Sequence, residues 1–427
     1  MGSKKKRNSN RIPVHRVDEY AGQEVILREK TGDYRIYGAQ YIEKGALDQM
    51  DTAMRLPVSR AGALMPDAHQ GYGLPIGGVL ATDPSVVIPY AVGVDIACRM
   101  CMTVFDEHPS LIRRDSGLLK QLLESHTHFG VGSTNRTHVD TTVFDRLTWS
   151  EIPIVKELRD LAYSQLGTSG AGNHFVEWGT LDIRKYDDLL RLSEGSYLAL
   201  LSHSGSRGFG NALAEWFSGL AMKKTRLPQE ARHLAWLSMD SEEGQEYWQA
   251  MELAGLYASA NHHEIHAKIR KEFGREVLAT VENHHNFAWK ERLADGREVT
   301  VHRKGATPAY RHSLGIIPGS MTQDGYVVRG KGNAVSLSSA SHGAGRLMSR
   351  NQAFKQLRRC DLDQYLLEKG VKLSGGDVDE SPVVYKDLEK VMAAQSELVE
   401  ILASFSPGIV KMAPPDKWSR KKAGLDI

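Results

Sequence analysis

The sequence has only three cysteines in 427 residues. An odd number in a long chain argues against a disulfide framework and for reduced thiols. No apolar run approaches the roughly 18 residues that span a bilayer. The first ten residues, MGSKKKRNSN, lack the apolar core of a signal peptide. A cytoplasmic protein with no membrane partner is expected. Net charge is nearly absent as well, at +2. The whole chain is therefore not a polycation, and any nucleic-acid site must be a local patch. No internal repeat, low-complexity tract or long linker is visible. Glycine, by contrast, is plentiful at 40 residues, and it is clustered rather than periodic, which excludes a collagen pattern. Hydrophobic content of 41% and charged content of 25% are those of a globular chain.

The glycines punctuate short β-rich runs. Residues 61–104 alternate glycine and proline turns with runs such as 85–89 and 102–105, and Asp67 and His69 fall in one of the loops. The strand 197–201 runs into SHSGSRGFG, and GTSGAGNHFVEWG leads a flexible loop into another strand. A strand end feeding such a loop is the usual ligand site in α/β proteins. Residues 277–289 give a third strand, with a histidine pair, and 299–345 return to β patterning. Helices are expected over 109–128, 150–166, 352–369 and 386–404, and over most of 211–273 with a break at 225–228. Candidate site residues extend from 67 to 411. One large mixed α/β (α+β) domain over 11–411 is expected, with a mobile basic tail at 1–10 and a mobile polar extension at 412–427.

The stretch Ser341-His342-Gly343-Ala344-Gly345-Arg346 sets one histidine among residues too small to screen it. A neutral imidazole can attack phosphorus and carry the phosphoryl group. Flanking glycines admit phosphate oxygens to backbone N–H groups, and arginine grips them bidentately. The same string also fits a glycine turn around a structural histidine. Asp95 and Cys98 stand three apart, and His174, His203 and His285 close three strand-like runs. These are metal-ligand types, and a thiolate has lone pairs to bridge two ions. Two ions about 4 Å apart suit phosphoryl chemistry. The bland alternative is a set of core histidines and a small core cysteine. Cys98 and Cys101 make only half a redox or zinc motif, because no second CxxC exists. His262 and His266 share a helix face, but the HExxH spacing is absent, so a solvated or capping role is expected for them. Arg207, Arg303, Lys304, Arg346 and Arg350 lie within the glycine loops, where bases suit phosphates.

Taken in order, PDAHQGYGLPIGGV, GVDIACRM, GAGNHFVEWG, HSGSRGFG, ENHHNFA, HRKGAT, IPGSM, SHGAGRLMSR and DESPVVYKD resemble the RtcB family, the GTP-dependent RNA-splicing ligases. The resemblance covers residues 60 to 411 and implies a single-domain α/β fold of the RtcB type, with a two-metal site at glycine-rich loop mouths. It implies that Asp95, Cys98 and His174 hold one Mn²⁺, and that Cys98, His203 and His285 hold a second, with Cys98 bridging. His285 is preferred to His284 because it directly precedes the asparagine. Zn²⁺ or Co²⁺ could serve in vitro. The resemblance makes His342 the nucleophile that takes GMP from GTP. It puts Asn173, His174, Phe175, Val176 and Glu177 at the nucleotide, with His285 and Asn286. Pro318, Gly319, Ser320 and Met321 would line the same pocket, as would Gly343, Ala344, Gly345 and Tyr385. Lys411 would read the guanine. Arg207, Lys304, Arg346 and Arg350 would contact RNA or phosphate.

The implied reaction joins RNA 3′-phosphate or 2′,3′-cyclic phosphate ends to 5′-hydroxyl ends through a histidine–GMP and an RNA-(3′)pp(5′)G intermediate, in tRNA splicing or RNA repair, with an archease-like activator as a possible partner. Two other readings use fewer of these residues: a two-metal cyclic phosphodiesterase without ligation, and a non-catalytic RNA-end binding protein. The chain departs from the family at Gly325, where a serine is usual, at Thr322-Gln323-Asp324, at Pro308, and in continuing past Lys411. These departures bear on nucleotide choice and RNA-end specificity.

Overall fold

The computed structural model describes residues 24–415. The basic tail expected at 1–10, and the expected extension from 416 onward, lie outside the described residues.

The larger of two main sheets runs, edge to edge, Leu314–Ile317, Gly325–Gly330, Val399–Met412, Phe175–Ile183, Gly195–Ser204, Arg99–Phe105, Val277–His284. These pairings are all antiparallel, and Lys372–Ser374 adds a short parallel strand on Val399–Met412. The two edge strands return to each other at Asn283, whose side chain accepts from the Ile316 N–H at 2.9 Å and donates to the Ile316 carbonyl at 3.4 Å. The sheet is thus curled nearly into a barrel. The smaller sheet has the order Arg35–Ile36, Ser59–His69, Ile76–Thr82, Glu298–Lys304, Phe287–Arg292.

The strand Arg99–Phe105 shows why the larger sheet is central. Every residue of it is buried. Met100, Met102 and Val104 pack with Ala199, Leu201 and Val281 inside the curl. Phe105 packs outward with Trp178, Leu198 and Ile265. Ile265 belongs to the 32-residue helix Glu242–Phe273, about 48 Å long at the usual rise. Ser241 caps this helix by accepting from Gly244 N–H, Glu242 and Glu243 occupy its positive first turn, and Gly274 ends it at φ 65°.

The expected helices are present in outline but more broken. Residues 109–128 form Leu111–Arg114 and Ser116–His126, divided where Asp115 caps the second piece. Residues 350–369 divide into Arg350–Gln356 and Arg359–Lys369. The helix expected over 386–404 is a correction: only Leu388–Ala393 is helical, and Val399–Met412 is a 14-residue strand. That strand is paired on both sides, and its ladder outweighs the helical spacing of its apolar residues. It runs through Met412, which is buried, as is Ala413. His262 and His266 also need correction, because they are 0% and 3% exposed rather than solvated. Ser202 Oγ bonds His262 Nδ1 at 2.7 Å and His266 Nε2 at 2.8 Å, so the pair pins the long helix to the back of the strand that carries His203.

Candidate active site

Four neighbouring strands bring the candidate ligands to one end of the larger sheet. His174 stands one residue before Phe175–Ile183, and Cys98 one residue before Arg99–Phe105. His203 is the penultimate residue of Gly195–Ser204, and His285 follows Val277–His284. The register pairs His203 with Phe175 and with Met100, and Arg99 with His284. Residues far apart in sequence therefore share one strand-end row.

Their donor atoms converge. Cys98 Sγ lies 3.1 Å from His203 Nε2 and 3.5 Å from His174 Nε2, and His174 Nε2 lies 3.0 Å from Asp95 Oδ2. Two triads, Asp95/Cys98/His174 and Cys98/His203/His285, share the cysteine, each with donor atoms within 4.8 Å. Burial lowers the His203 pKa to about 3 and holds His285 well below its ordinary value, so both imidazoles are neutral and offer lone pairs. Burial, reinforced by Asp95, pushes the Cys98 thiol well up. Burial also raises Asp95, but its hydrogen bond and charge interaction with His174 outweigh that and hold it ionised. His203 Nδ1 faces the Asn173 carbonyl at 3.0 Å, which places its proton there and leaves Nε2 free. His174 Nδ1 and His285 Nδ1 are buried without a partner among the described residues. A buried thiol, imidazoles with unsatisfied nitrogens and one carboxylate fit a divalent cation, which would displace the thiol proton.

Asn286, expected at the nucleotide, also acts as a brace. It sits at φ 58°, donates from Nδ2 to the Asp95 carbonyl at 3.1 Å and accepts from Gly305 N–H at 2.7 Å.

Beside the cluster is a cavity of about 370 Å³. Asp95, Cys98, His203 and His285 line it, together with Asn173, Phe175, Glu177, Asn286, Pro318–Met321, His342–Gly345 and Tyr385. The His342 ring is 4.8 Å from the His285 ring. Asp67, wholly buried, was marked by sequence only as a loop residue; it stands within the strand Ser59–His69. Its Oδ2 accepts from His342 Nδ1 at 2.7 Å and from the His342 backbone N–H at 3.2 Å. Nothing in a separation of 275 residues signals that pairing. Gly345 makes the close approach possible: it has φ +78°, and a Cβ there would lie 2.0 Å from the Asp67 carbonyl oxygen. Gly325, a departure from the family, faces the same wall, where a Cβ would lie 3.1 Å from Pro318 Cα.

Glu177 is buried in the cavity wall, and burial raises its pKa well above the usual range. Val176, the preceding residue of its strand, and Lys411, next to its cross-strand partner Val410, are not in the cavity. They pair with each other, and alternation turns both to the opposite face. Val176 packs with Phe105 and Trp178. Lys411 Nζ donates to the carbonyls of Leu123, Glu124 and Thr127 at 3.1, 3.3 and 3.1 Å and pairs with the Glu124 carboxylate at 3.0 Å.

The expected phosphate-contacting bases divide. Lys304, Arg346 and Arg350 line the cavity. Arg350 pairs with Asp379 at 2.5 Å and with Glu380, while Arg346 pairs with Glu380 at 3.5 Å and donates to the Asp379 carbonyl at 2.7 Å. Tyr385 OH also donates to Glu380. These two guanidiniums are thus already committed to carboxylates. Arg207 is spent on Thr168 Oγ1 at 3.0 Å and the Gly130 carbonyl at 3.2 Å. Burial lowers Lys304 to about 7, and its Nζ donates to the Tyr72 carbonyl.

Comparison with known proteins bears on all of this. The chain matches the family model described as tRNA-splicing ligase RtcB over residues 49–154 and 146–412. It is 33% identical to the RNA-splicing ligase RtcB of Escherichia coli K12 over 396 residues, covering 84% of this chain and 92% of that protein. It is 30% identical to the tRNA-splicing ligase RtcB of Thermococcus kodakarensis over 454 residues, covering 88% of this chain and 94% of that one. With the RNA-splicing ligase RtcB of Mycobacterium bovis the identity is 31% over 427 residues, covering 83% and 97%.

Proposed function

The chain belongs to the RtcB family, and we propose that it is a GTP-dependent RNA ligase that joins 3′-phosphate or 2′,3′-cyclic phosphate ends to 5′-hydroxyl ends. The observation that carries this reading is the Asp67–His342 pair. A carboxylate on Nδ1 fixes the proton there and leaves the Nε2 lone pair for attack. Nε2 attacks the α-phosphorus of GTP; the N–P bond forms, the bond to the bridging oxygen breaks, and pyrophosphate leaves with the electron pair. Water opens a cyclic end to a 3′-phosphate. An oxygen of that phosphate displaces His342 from GMP, giving RNA-(3′)pp(5′)G. The 5′-hydroxyl then attacks the RNA phosphorus, losing its proton, and GMP leaves.

Asp95, Cys98 and His174 would hold one divalent ion, and Cys98, His203 and His285 a second. Such ions polarise phosphate oxygens when bound. We assign them as Mn²⁺, although a thiol and imidazole set has higher intrinsic affinity for zinc, and Zn²⁺ or Co²⁺ would compete. Glu177 lines the cavity and would accept from the N–H edge of guanine, whose donors favour the ionised carboxylate against the protonated form that burial favours. Lys411 faces away and has no such part in this reading. Lys304 lines the cavity, and a phosphate beside it would favour its protonated form. An archease-like activator and a cytoplasmic setting go with the same reading. No described helix is long and apolar enough to cross a membrane.

A cyclic phosphodiesterase needs the Cys98 cluster but not the Asp67–His342 pair, and an RNA-end binding protein needs neither. The test is to incubate the protein with Mn²⁺, GTP, an RNA ending in 2′,3′-cyclic phosphate and a second RNA with a 5′-hydroxyl. GTP-dependent joining that is lost in His342→Ala is expected. Opening of the cyclic end with no joining under any nucleotide would move the assignment to the phosphodiesterase.

A further inference from the structure

At the rim of the cavity an aromatic ring is held out in solvent. Tyr72 is 68% exposed, between Gly71 and Gly73 at the tip of the hairpin that joins Ser59–His69 to Ile76–Thr82. The residues at the base of that tip, His69 and Ile76, are register partners, and both line the cavity. The His69 strand also carries Asp67, so the loop that holds the ring springs from the strand that carries the partner of His342.

The tip is braced. The Tyr72 carbonyl accepts from Lys304 Nζ. Gly73 has φ +69° and packs so closely that a Cβ would lie 2.9 Å from the His233 carbonyl oxygen. The Tyr72 ring meets the His233 ring at 5.7 Å in a T-shaped contact, and Tyr90 supports His233 from a further 4.8 Å. Burial, then the charges of Arg232 and Lys304, lower the His233 pKa and keep its ring neutral.

A braced ring with most of its surface in water, beside a nucleotide-sized cavity, matches how single-stranded nucleic acid is held. Every base has a π-face, and every linkage carries a phosphate. We propose that Tyr72 is a stacking platform for a nucleobase next to the RNA end that enters the cavity. This rests on the RNA-ligase reading and adds what holds the strand. Stacking does not read hydrogen-bond edges, so the platform tolerates any base.

The test uses the full chain, Tyr72→Ala and Tyr72→Phe. RNA carrying 2-aminopurine is offered in two forms, with the probe beside the 3′-phosphate or beside the 5′-hydroxyl. Wild type and Tyr72→Phe quench the probe in one form, and that form identifies the strand held. Tyr72→Ala loses the quench and raises the RNA KM for sealing about tenfold more than it slows transfer of label from α-labelled GTP to protein. Quenching in neither form, or equal quench and KM in Tyr72→Ala, overturns the platform. So does a parallel fall in labelling and sealing, which marks a structural role. If wild type takes no label from GTP, the ligase reading fails, yet the quench and its loss in Tyr72→Ala still decide the platform.

Discussion

Replacing Asp67 with asparagine asks whether His342 is held in the one tautomer that can attack phosphorus. A single oxygen, Asp67 Oδ2, takes both His342 Nδ1–H at 2.7 Å and the His342 backbone N–H at 3.2 Å. Oδ1 is buried without a partner among the described residues. Asparagine has the same shape. If its carbonyl oxygen keeps the place of Oδ2, its NH₂ goes to the unpartnered place, and leaving donors unmet there costs about 1–3 kcal/mol. If the amide turns over, the NH₂ faces the backbone N–H and Nδ1. Nδ1 must then accept, the proton moves to Nε2, and the nucleophile is lost. In either case the ionised acceptor is gone, worth about 1.5–3 kcal/mol, or roughly 10- to 150-fold. A full tautomer switch reaches about 10⁴-fold where asparagine replaces the triad aspartate of serine proteases. Asp67→Asn is therefore predicted to slow transfer of label from α-labelled GTP by at least about tenfold in single turnover, with Mn²⁺ content and melting temperature checked beside it. A folded, metal-loaded Asp67→Asn that labels at the wild-type rate would refute the tautomer argument.

Three further predictions follow from the same geometry. Cys98→Ser should lower bound Mn²⁺ at both sites after dialysis, because both triads use its sulfur, whereas His285→Ala should affect only one; metal analysis showing the same loss for both variants would contradict the shared ligand. Gly345→Ala should cost at least ~2 kcal/mol, because φ is +78° and the new Cβ would overlap the Asp67 carbonyl, while Gly274→Ala, at φ +65° with nothing among the described residues within 4 Å, should cost only about 1 kcal/mol; denaturant melts compare the two. Lys304→Met should stabilise the fold most below pH 7. Burial holds the folded lysine at about 7 against an ordinary 10.5, so the unfolded chain binds the extra proton between those values and wild-type stability rises with pH across that window. The gain over wild type should be at most about 5 kcal/mol, less the lost bond to Tyr72, and should fade toward pH 10; a difference flat with pH would sink it.

The ligand cluster is legible in the sequence because each member stands next to a strand end, where the change from apolar run to glycine loop is visible. The sequence does not carry the order of the strands. Cys98, His174, His203 and His285 meet because Phe175–Ile183, Gly195–Ser204, Arg99–Phe105 and Val277–His284 are neighbours in that order. Asp67 is hidden for the same reason, since its partner is distant in sequence and its strand belongs to the other sheet. Lys411 shows a finer limit. Val410 and Met412 face the cavity, so strand parity turns Lys411 away, and a match of motif position cannot report parity. The segment 386–404 has apolar residues at helical spacing, but the gap between Gly325–Gly330 and Phe175–Ile183 makes its second half a strand. His262 and His266 carry no mark of burial until their helix is laid on the sheet.

The most direct measurement is mass spectrometry of the peptide containing His342 after incubation with GTP and Mn²⁺. An acid-labile GMP adduct on His342, absent from His342→Ala, is predicted. No adduct with GTP or any other nucleotide, in protein that holds its metals and is supplied with an archease-like activator, would contradict the histidine–nucleotide mechanism.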